Sequence, residues 1–200
     1  MTAVPEETPR PKLAVVPHLL TVAEYAELGE VESGYTELQE GRLLMVPSPA
    51  PRHNLASLEL AIRLRGQLSD DLVVIQDVDV DLELAPPGAP GFSRRPDVLV
   101  VRRPALKRVE EEGGLIRASE VEVVIEIVSP GSYRTDHVIK REEYAAAGIP
   151  RYWIVDLAEP ISLVDCQLAG EFGYQQAPDV VGKFETTAPC AIVLRIDDLV

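Results

Sequence analysis

The chain has 200 residues, 46% of them hydrophobic and 26% charged, and its 19 basic against 33 acidic side chains give a formal net charge of −14. This is the composition of a soluble globular protein long enough to bury a core, and the negative balance repels polyanions at long range, which argues against a passive nucleic-acid coat protein. Cys166 and Cys190 are too few for a disulfide scaffold or a cysteine-rich zinc site and read as small buried side chains in a reducing compartment. No apolar run reaches the roughly 18 residues that span a bilayer, and the first residues lack the basic start and unbroken apolar core of a signal peptide, so a cytoplasmic location is expected.

Residues 1–20 are proline-rich and read as an extended tail, with one domain expected over 21–200. TVAEYAELG predicts a short helix from Thr21 to Gly29, with Thr21 and Glu24 as a capping box. YTELQEGRLLMVPSP predicts a β-hairpin about the Gln39-Glu40-Gly41 turn. RHNLASLELAIRLRGQLSDD predicts an amphipathic helix whose apolar positions are Leu55, Leu58, Ala61, Ile62 and Leu68. Strict alternation from Asp77 to Leu84 in LVVIQDVDVDLEL predicts a strand with one acidic, solvated face; without a loop geometry those acids do not read as a calcium site. PPGAPGFSRR is a loop. RPDVLVV and EVEVVIEIVS are two further strands, joined by a charged segment. TDHVIKREEYAAAGI predicts a helix capped by Thr135 or Asp136 and ended by Gly148 and Pro150. RYWIVDL and ISLVDCQL predict strands paired across Ala158-Glu159-Pro160, with Tyr152 and Trp153 as core aromatics. Short strand-like pieces follow from Glu171. The alternation of helices and strands predicts a mixed α/β fold.

Polar residues interrupt the apolar strands at two places, Asp97 at the start of RPDVLVV and Glu126 inside VVIEIVS, and Lys140 lies on the helix that follows. Two carboxylates and a lysine are what metal-assisted phosphodiester hydrolysis requires. The carboxylates hold a hard cation such as Mg²⁺, which polarises the phosphoryl oxygen and acidifies a bound water, while an ammonium group orients that water and offsets developing charge. Each residue also has a plainer reading. Asp97 suits a turn or cap, Glu126 could pair with Arg94 or Arg95, and Lys140 could lie on a solvated helix face. His53 in SPAPRHN reads as a helix-start residue or a contact in the cleft rather than a general base, and His18 and His137 lack ligand-spaced partners for zinc. Ser129 and Ser132 lack a nucleophile elbow.

YTELQEGRL, SPAPRHN, RPDVLVV, EVVIEIVSPGS and DHVIKREEYAAAGIPRYWIVD, in this order, resemble the Uma2 (DUF820-like) family of restriction-endonuclease-like proteins, within the PD-(D/E)xK nuclease superfamily. The resemblance implies a restriction-endonuclease-like fold, a central mixed sheet flanked by helices with extra β-hairpins. It implies a metal-dependent endonuclease acting on DNA, with Asp97, Glu126 and the carbonyl of Ile127 as ligands of Mg²⁺ or Mn²⁺. Val128 stands where the superfamily motif has its lysine, and Lys140 matches the lysine that Uma2-like proteins carry on the next helix. Glu37 matches an early acidic position that places metal or water, although Thr36 stands between Tyr35 and that acid. A homodimer is expected by the same likeness. The alternative is a catalytically silent nuclease-fold binding or regulatory module, which the net charge favours unless Arg52, Arg63, Arg65, Arg94, Arg95, Arg102, Arg103, Lys107 and Arg108 converge.

Overall fold

The structure, a computed structural model, describes residues 18–29, 34–129 and 131–200. Most of the proline-rich tail expected at the N-terminus lies outside these residues. In chain order the elements begin with α1 (Val22–Leu28), β1 (Tyr35–Gln39), β2 (Arg42–Val46), α2 (Pro51–Arg65) and β3 (Leu72–Gln76). There follow β4 (Val80–Asp81), β5 (Ser93–Arg94), β6 (Val98–Arg102), α3 (Arg103–Glu112), β7 (Ile116–Arg117) and β8 (Val121–Val128). A π-helical segment (Thr135–Lys140) runs into α4 (Arg141–Ala146), and β9 (Arg151–Asp156), β10 (Ser162–Leu168), β11 (Tyr174–Gln176), β12 (Val180–Val181), β13 (Lys183–Thr186) and β14 (Ile192–Arg195) complete the chain.

The main sheet has the order β11-β10-β9-β8-β6-β3, with β12 also on β10. Its neighbours are antiparallel except β8 and β9, which run parallel. Parallel neighbours cannot be joined by a tight turn and need a crossover of a dozen or more residues. Here that crossover carries the π-helical segment and α4. The centre of β8 is buried on both faces, as expected of a strand covered from two sides. Val123, Ile125 and Ile127 point into a core shared with Leu60 and Leu64 of α2 and with Phe184, Ile192 and Leu194 of the β13–β14 hairpin. Val121 and Val124 belong to the opposite layer, with Tyr144, Tyr152, Ala105 and Ile116.

A second, small sheet has the order β2-β1-β5-β4-β7. Its hairpin turns at Glu40 and Gly41, both with positive φ (49° and 74°), the conformation that matches strand twist in two-residue hairpins. A side chain at Gly41 would also collide with Leu19 and the main chain of Leu20. Thr21 and Glu24 form the expected capping box on α1.

Three expectations are corrected. The run from Leu72 to Leu84 is not one strand: Asp77 has φ 52° and Glu83 φ 54°, so the chain leaves the sheet after Gln76 and β4 joins the small sheet instead. Aspartate tolerates that left-handed conformation better than most residues. Asp79 is correspondingly not on a solvated face, since it accepts from Tyr25 Oη at 3.3 Å and lies 3.5 Å from Arg95 Nη1. On α2, Leu55, Leu58 and Ile62 are 47%, 49% and 55% exposed, and the buried stripe is Ala56, Leu60, Ala61 and Leu64. Ala61 and Leu68 pack against the core as expected, but leucines and isoleucine occur on both sides of this helix, so spacing alone also selects exposed positions. The crossover helix opens as a π-helix with no side-chain cap at Thr135; Asp136 turns back to Ser132 instead, whose Oγ donates to Asp136 Oδ2 at 2.5 Å.

Leu64→Ala is therefore expected to lower unfolding free energy by about 2–5 kcal/mol, and Leu58→Ala by no more than about 0.5 kcal/mol, measured by urea unfolding. Comparable losses would contradict the assigned buried stripe.

Candidate active site

The site lies where β6, β8 and the crossover helix meet. Alternation along β8 places Glu126 on the face of Val124, and alternation along β6 places Asp97 on the face of Leu99. Leu99 pairs with Val124, and Val98 with Ile125, in the antiparallel ladder. Extending that register by one step sets Asp97 opposite Glu126, at a separation where like charges oppose each other. The ladder itself stops at Val98, and Asp97 replaces it with its side chain: the Ile127 N–H donates to Asp97 Oδ2 at 2.6 Å. The carbonyl of a strand residue lies on the same edge as its N–H, so the Ile127 carbonyl faces this side of β8 too.

Glu126 is 3% exposed and Lys140 8%. Lys140 Nζ donates to Glu126 Oε1 at 2.8 Å, lies 3.5 Å from Glu37 Oε1 and 3.8 Å from Asp136 Oδ1. Tyr144 Oη donates to the same Glu126 oxygen at 2.7 Å. Asp136, Lys140 and Tyr144 follow at intervals of four, and the crossover turns this face onto the sheet. Tyr152 Oη, from β9, donates to the Asp136 carbonyl at 2.9 Å and ties the segment down.

Behind the lysine stands a buried ion-pair chain. Arg94 donates through Nη1 to Glu37 Oε2 at 2.7 Å, and through Nε and Nη2 to both oxygens of Glu143 at 2.6 and 2.7 Å. Glu37 Oε1 also accepts from the Arg95 N–H at 3.2 Å. Bidentate arginine pairing of this kind fixes geometry as well as charge. On the other side of Asp97, His53 Nε2 lies 2.8 Å from Asp97 Oδ1.

The charges do not balance evenly. Burial pushes the Glu126 carboxyl up to about 8; Lys140 opposes that shift, while Asp97, Asp136 and Glu37 add to it. Burial likewise raises Asp136. Burial alone would lower Lys140, but Glu126, Glu37 and Asp136 together raise it, so the ammonium persists through neutral pH. Glu37 is also buried, yet Lys140 and Arg94 hold it below the usual carboxylate range. Burial opposes the charging of His53, but the Asp97 hydrogen bond outweighs it and raises the ring.

Glu126 pairs with Lys140 and not with Arg94 or Arg95. Lys140 is buried and not on a solvated face, and Asp97 binds β8 and His53 and does not cap a helix. Glu37, Glu126 and Lys140 come together directly. Asp97 joins them through the strand register and has no contact with the lysine. Asp136 and Tyr144 carry more of the cluster than sequence reasoning assigned, and their signal was the spacing of four on either side of Lys140. The Arg94–Glu143 pair had no sequence signal, because residues 49 positions apart are joined only by the fold. Of the basic residues considered as a phosphate surface, five are taken up by acids: Arg52 pairs with Glu159, Arg63 with Glu59 and Asp198, Arg102 with Glu122, Lys107 with Glu111 and Arg108 with Glu120; Arg94 and Arg95 lie beside the cluster, on Glu37, Glu143 and Asp79.

The sequence model of Uma2, described as "Putative restriction endonuclease", matches residues 22–189. The chain belongs to the Uma2 family. Among solved structures, this Uma2 chain is similar to a putative nuclease belonging to DUF820 from Anabaena variabilis ATCC 29413, with a TM-score of 0.65 and 19% sequence identity over 90% of this chain and 97% of the other. At that identity the likeness establishes the restriction-endonuclease-like fold, and the mixed sheet with its crossover helix agrees with it. No curated protein matches the chain.

Glu126 keeps its proton to a higher pH in the folded chain than the 4.5 of a free glutamate. The folded state therefore binds the extra proton between those limits, and its stabilisation is complete below about 4.5 and drains away as pH climbs to about 8. In chelator, unfolding free energy is expected to fall across this window, by at most about 1.4 kcal/mol per pH unit for one proton. Glu126→Gln should flatten the slope. An equal slope in wild type and variant would show that another group carries it.

Proposed function

We propose that this Uma2 protein is a Mg²⁺- or Mn²⁺-dependent endonuclease that hydrolyses DNA phosphodiester bonds. The observation that carries the reading is the contact of Lys140 with Glu126 at 2.8 Å, in a cluster whose other acids are Glu37, Asp97 and Asp136.

The donor set suits a hard divalent ion. Among the described residues no three His, Cys, Asp or Glu side chains stand together at ligating distance. A cation here would rest on the Asp97 and Glu126 carboxylates and the Ile127 carbonyl, with water completing the shell, a mixture Mg²⁺ commonly accepts. Glu126 Oε1 already takes Lys140 and Tyr144, whereas Oε2 takes no hydrogen bond from the described residues. Four buried or half-buried acids share one lysine, Nη1 of Arg94 and His53; burial raises the carboxyls of Glu126 and Asp136, and the neighbouring acids add to that shift. When bound, the ion would polarise a phosphoryl oxygen and lower the pKa of a water.

The chain's own groups then divide the work. Lys140, held as ammonium by three carboxylates, does not abstract a proton; it orients the attacking water and offsets charge that develops on the phosphate. Tyr144 holds the Oε1 side of Glu126. Glu37, kept ionised by Lys140 and Arg94, fixes the lysine's line of approach and helps place metal or water. A homodimer would bring one such site to each strand of a duplex, and a cytoplasmic protein would meet DNA there. Among the described residues no helix is long and apolar enough to cross a membrane.

A second reading, a catalytically silent binding or regulatory module, is favoured by one observation: Arg52, Arg63, Arg102, Lys107 and Arg108 are already paired with acids, which reduces the free positive charge they offer a phosphate backbone.

The deciding assay is cleavage of supercoiled, linear and single-stranded DNA with Mg²⁺ or Mn²⁺. Glu126→Ala and Lys140→Ala should each lose at least about 100-fold of the wild-type rate, the scale of removing one preorganised charge. Equal nicking by wild type and both variants would mark a contaminant. Absence of cleavage with retained DNA binding would select the silent module.

A further inference from the structure

His53 takes no step in the reading above, yet it touches Asp97 directly. It is the third residue of α2, and its side chain is 11% exposed. A carboxylate only accepts hydrogen bonds, so the 2.8 Å contact requires the proton on Nε2. The other Asp97 oxygen accepts from the Ile127 N–H at 2.6 Å. One turn further along α2, Ser57 Oγ donates to the Asp97 main-chain carbonyl at 3.4 Å and itself accepts from the Gln76 amide at 2.6 Å. Asp97 is therefore gripped at three oxygens by two elements, α2 and β8. With one donor on each carboxylate oxygen, its torsions are set and one acceptor direction remains on each oxygen.

We propose that His53 is a positioning residue for Asp97: its Nε2–H turns the carboxylate so that the remaining acceptor directions face Glu126 and the Ile127 carbonyl, ready for a divalent cation. The proposal rests on the metal-dependent reading. A ring with two torsions, packed against the start of a helix, delivers one N–H from a fixed point. Partners of this kind behind a metal ligand commonly govern affinity by about 10–100-fold.

The test is Mn²⁺ binding to the full chain without DNA, followed by the EPR signal of free Mn²⁺, with thermal unfolding of each variant alongside. Asp97→Asn should weaken binding strongly. His53→Ala should weaken it by about 10–100-fold, and His53→Gln, whose amide N–H reaches a similar distance from the main chain, should recover most of that loss. The unfolding midpoints of the two His53 variants should match one another. Wild-type affinity in His53→Ala, or an equal loss in His53→Gln, overturns the positioning role. So does a loss of binding that only follows loss of folded protein. If Asp97→Asn weakens binding while His53→Ala does not, the metal reading stands and the positioning role alone falls. If wild type binds no Mn²⁺, the metal reading fails and the positioning role falls with it.

Discussion

The rest of this structure is arranged around one unfavourable act, placing the Glu126 carboxyl in the middle of a strand buried on both faces. An isolated carboxylate in such a place costs several kcal/mol. The fold answers with an ammonium and a phenol on one of its oxygens, and both come from the helix that must cross over the sheet because β8 and β9 are parallel. Topology and electrostatics therefore coincide: the connection that parallel strands demand is also the element that carries the compensating charge.

The small sheet serves the same purpose at one remove. Arg94 of β5 holds Glu37 of β1 and Glu143 of α4 at once, so the hairpin sheet, the crossover helix and the lysine are locked by one guanidinium. Burying Arg94 and Glu37 together, with Glu143 half-buried beside them, is tolerable when their donors and acceptors find partners. A hydrophobic replacement could match the stability, which suggests that the chain keeps this chain of ions for the geometry it imposes on Lys140.

Much of this was legible in the residues. Glu126 is visible because it breaks an apolar run, Asp97 because it opens a second one, and Lys140 because it sits on the helix that follows. The capping box at Thr21, the Glu40-Gly41 turn and the pairing of RYWIVDL with ISLVDCQL are local, and local rules found them. What was not legible depends on pairings far apart in sequence. α2 has apolar residues on two faces, and only the sheet and the β13–β14 hairpin decide that Leu60 and Leu64 go inside. The run from Asp77 to Leu84 alternates like a strand, but a left-handed Asp77 moves its second half to another sheet, where Asp79 meets Tyr25 and Arg95. His53 reads as a contact in the cleft, and which acid it contacts is set by where the start of α2 meets the edge of β6.

The absence of a lysine at position 128 has its own consequence. Val128 there packs against the apolar layer that also holds Leu99 and Val124, so β8 contributes a single ionisable side chain to its buried stretch. The acids and the cation that faces them thus reside on parts of the chain with different anchoring. Glu126 is held by the sheet ladder and Asp97 by hydrogen bonds from β8 and α2, whereas Lys140 sits on a short π-to-α segment held by side-chain tethers. Undocking of that segment would remove the positive charge while leaving both acids in place, making the crossover helix the part of the molecule on which readiness of the site turns.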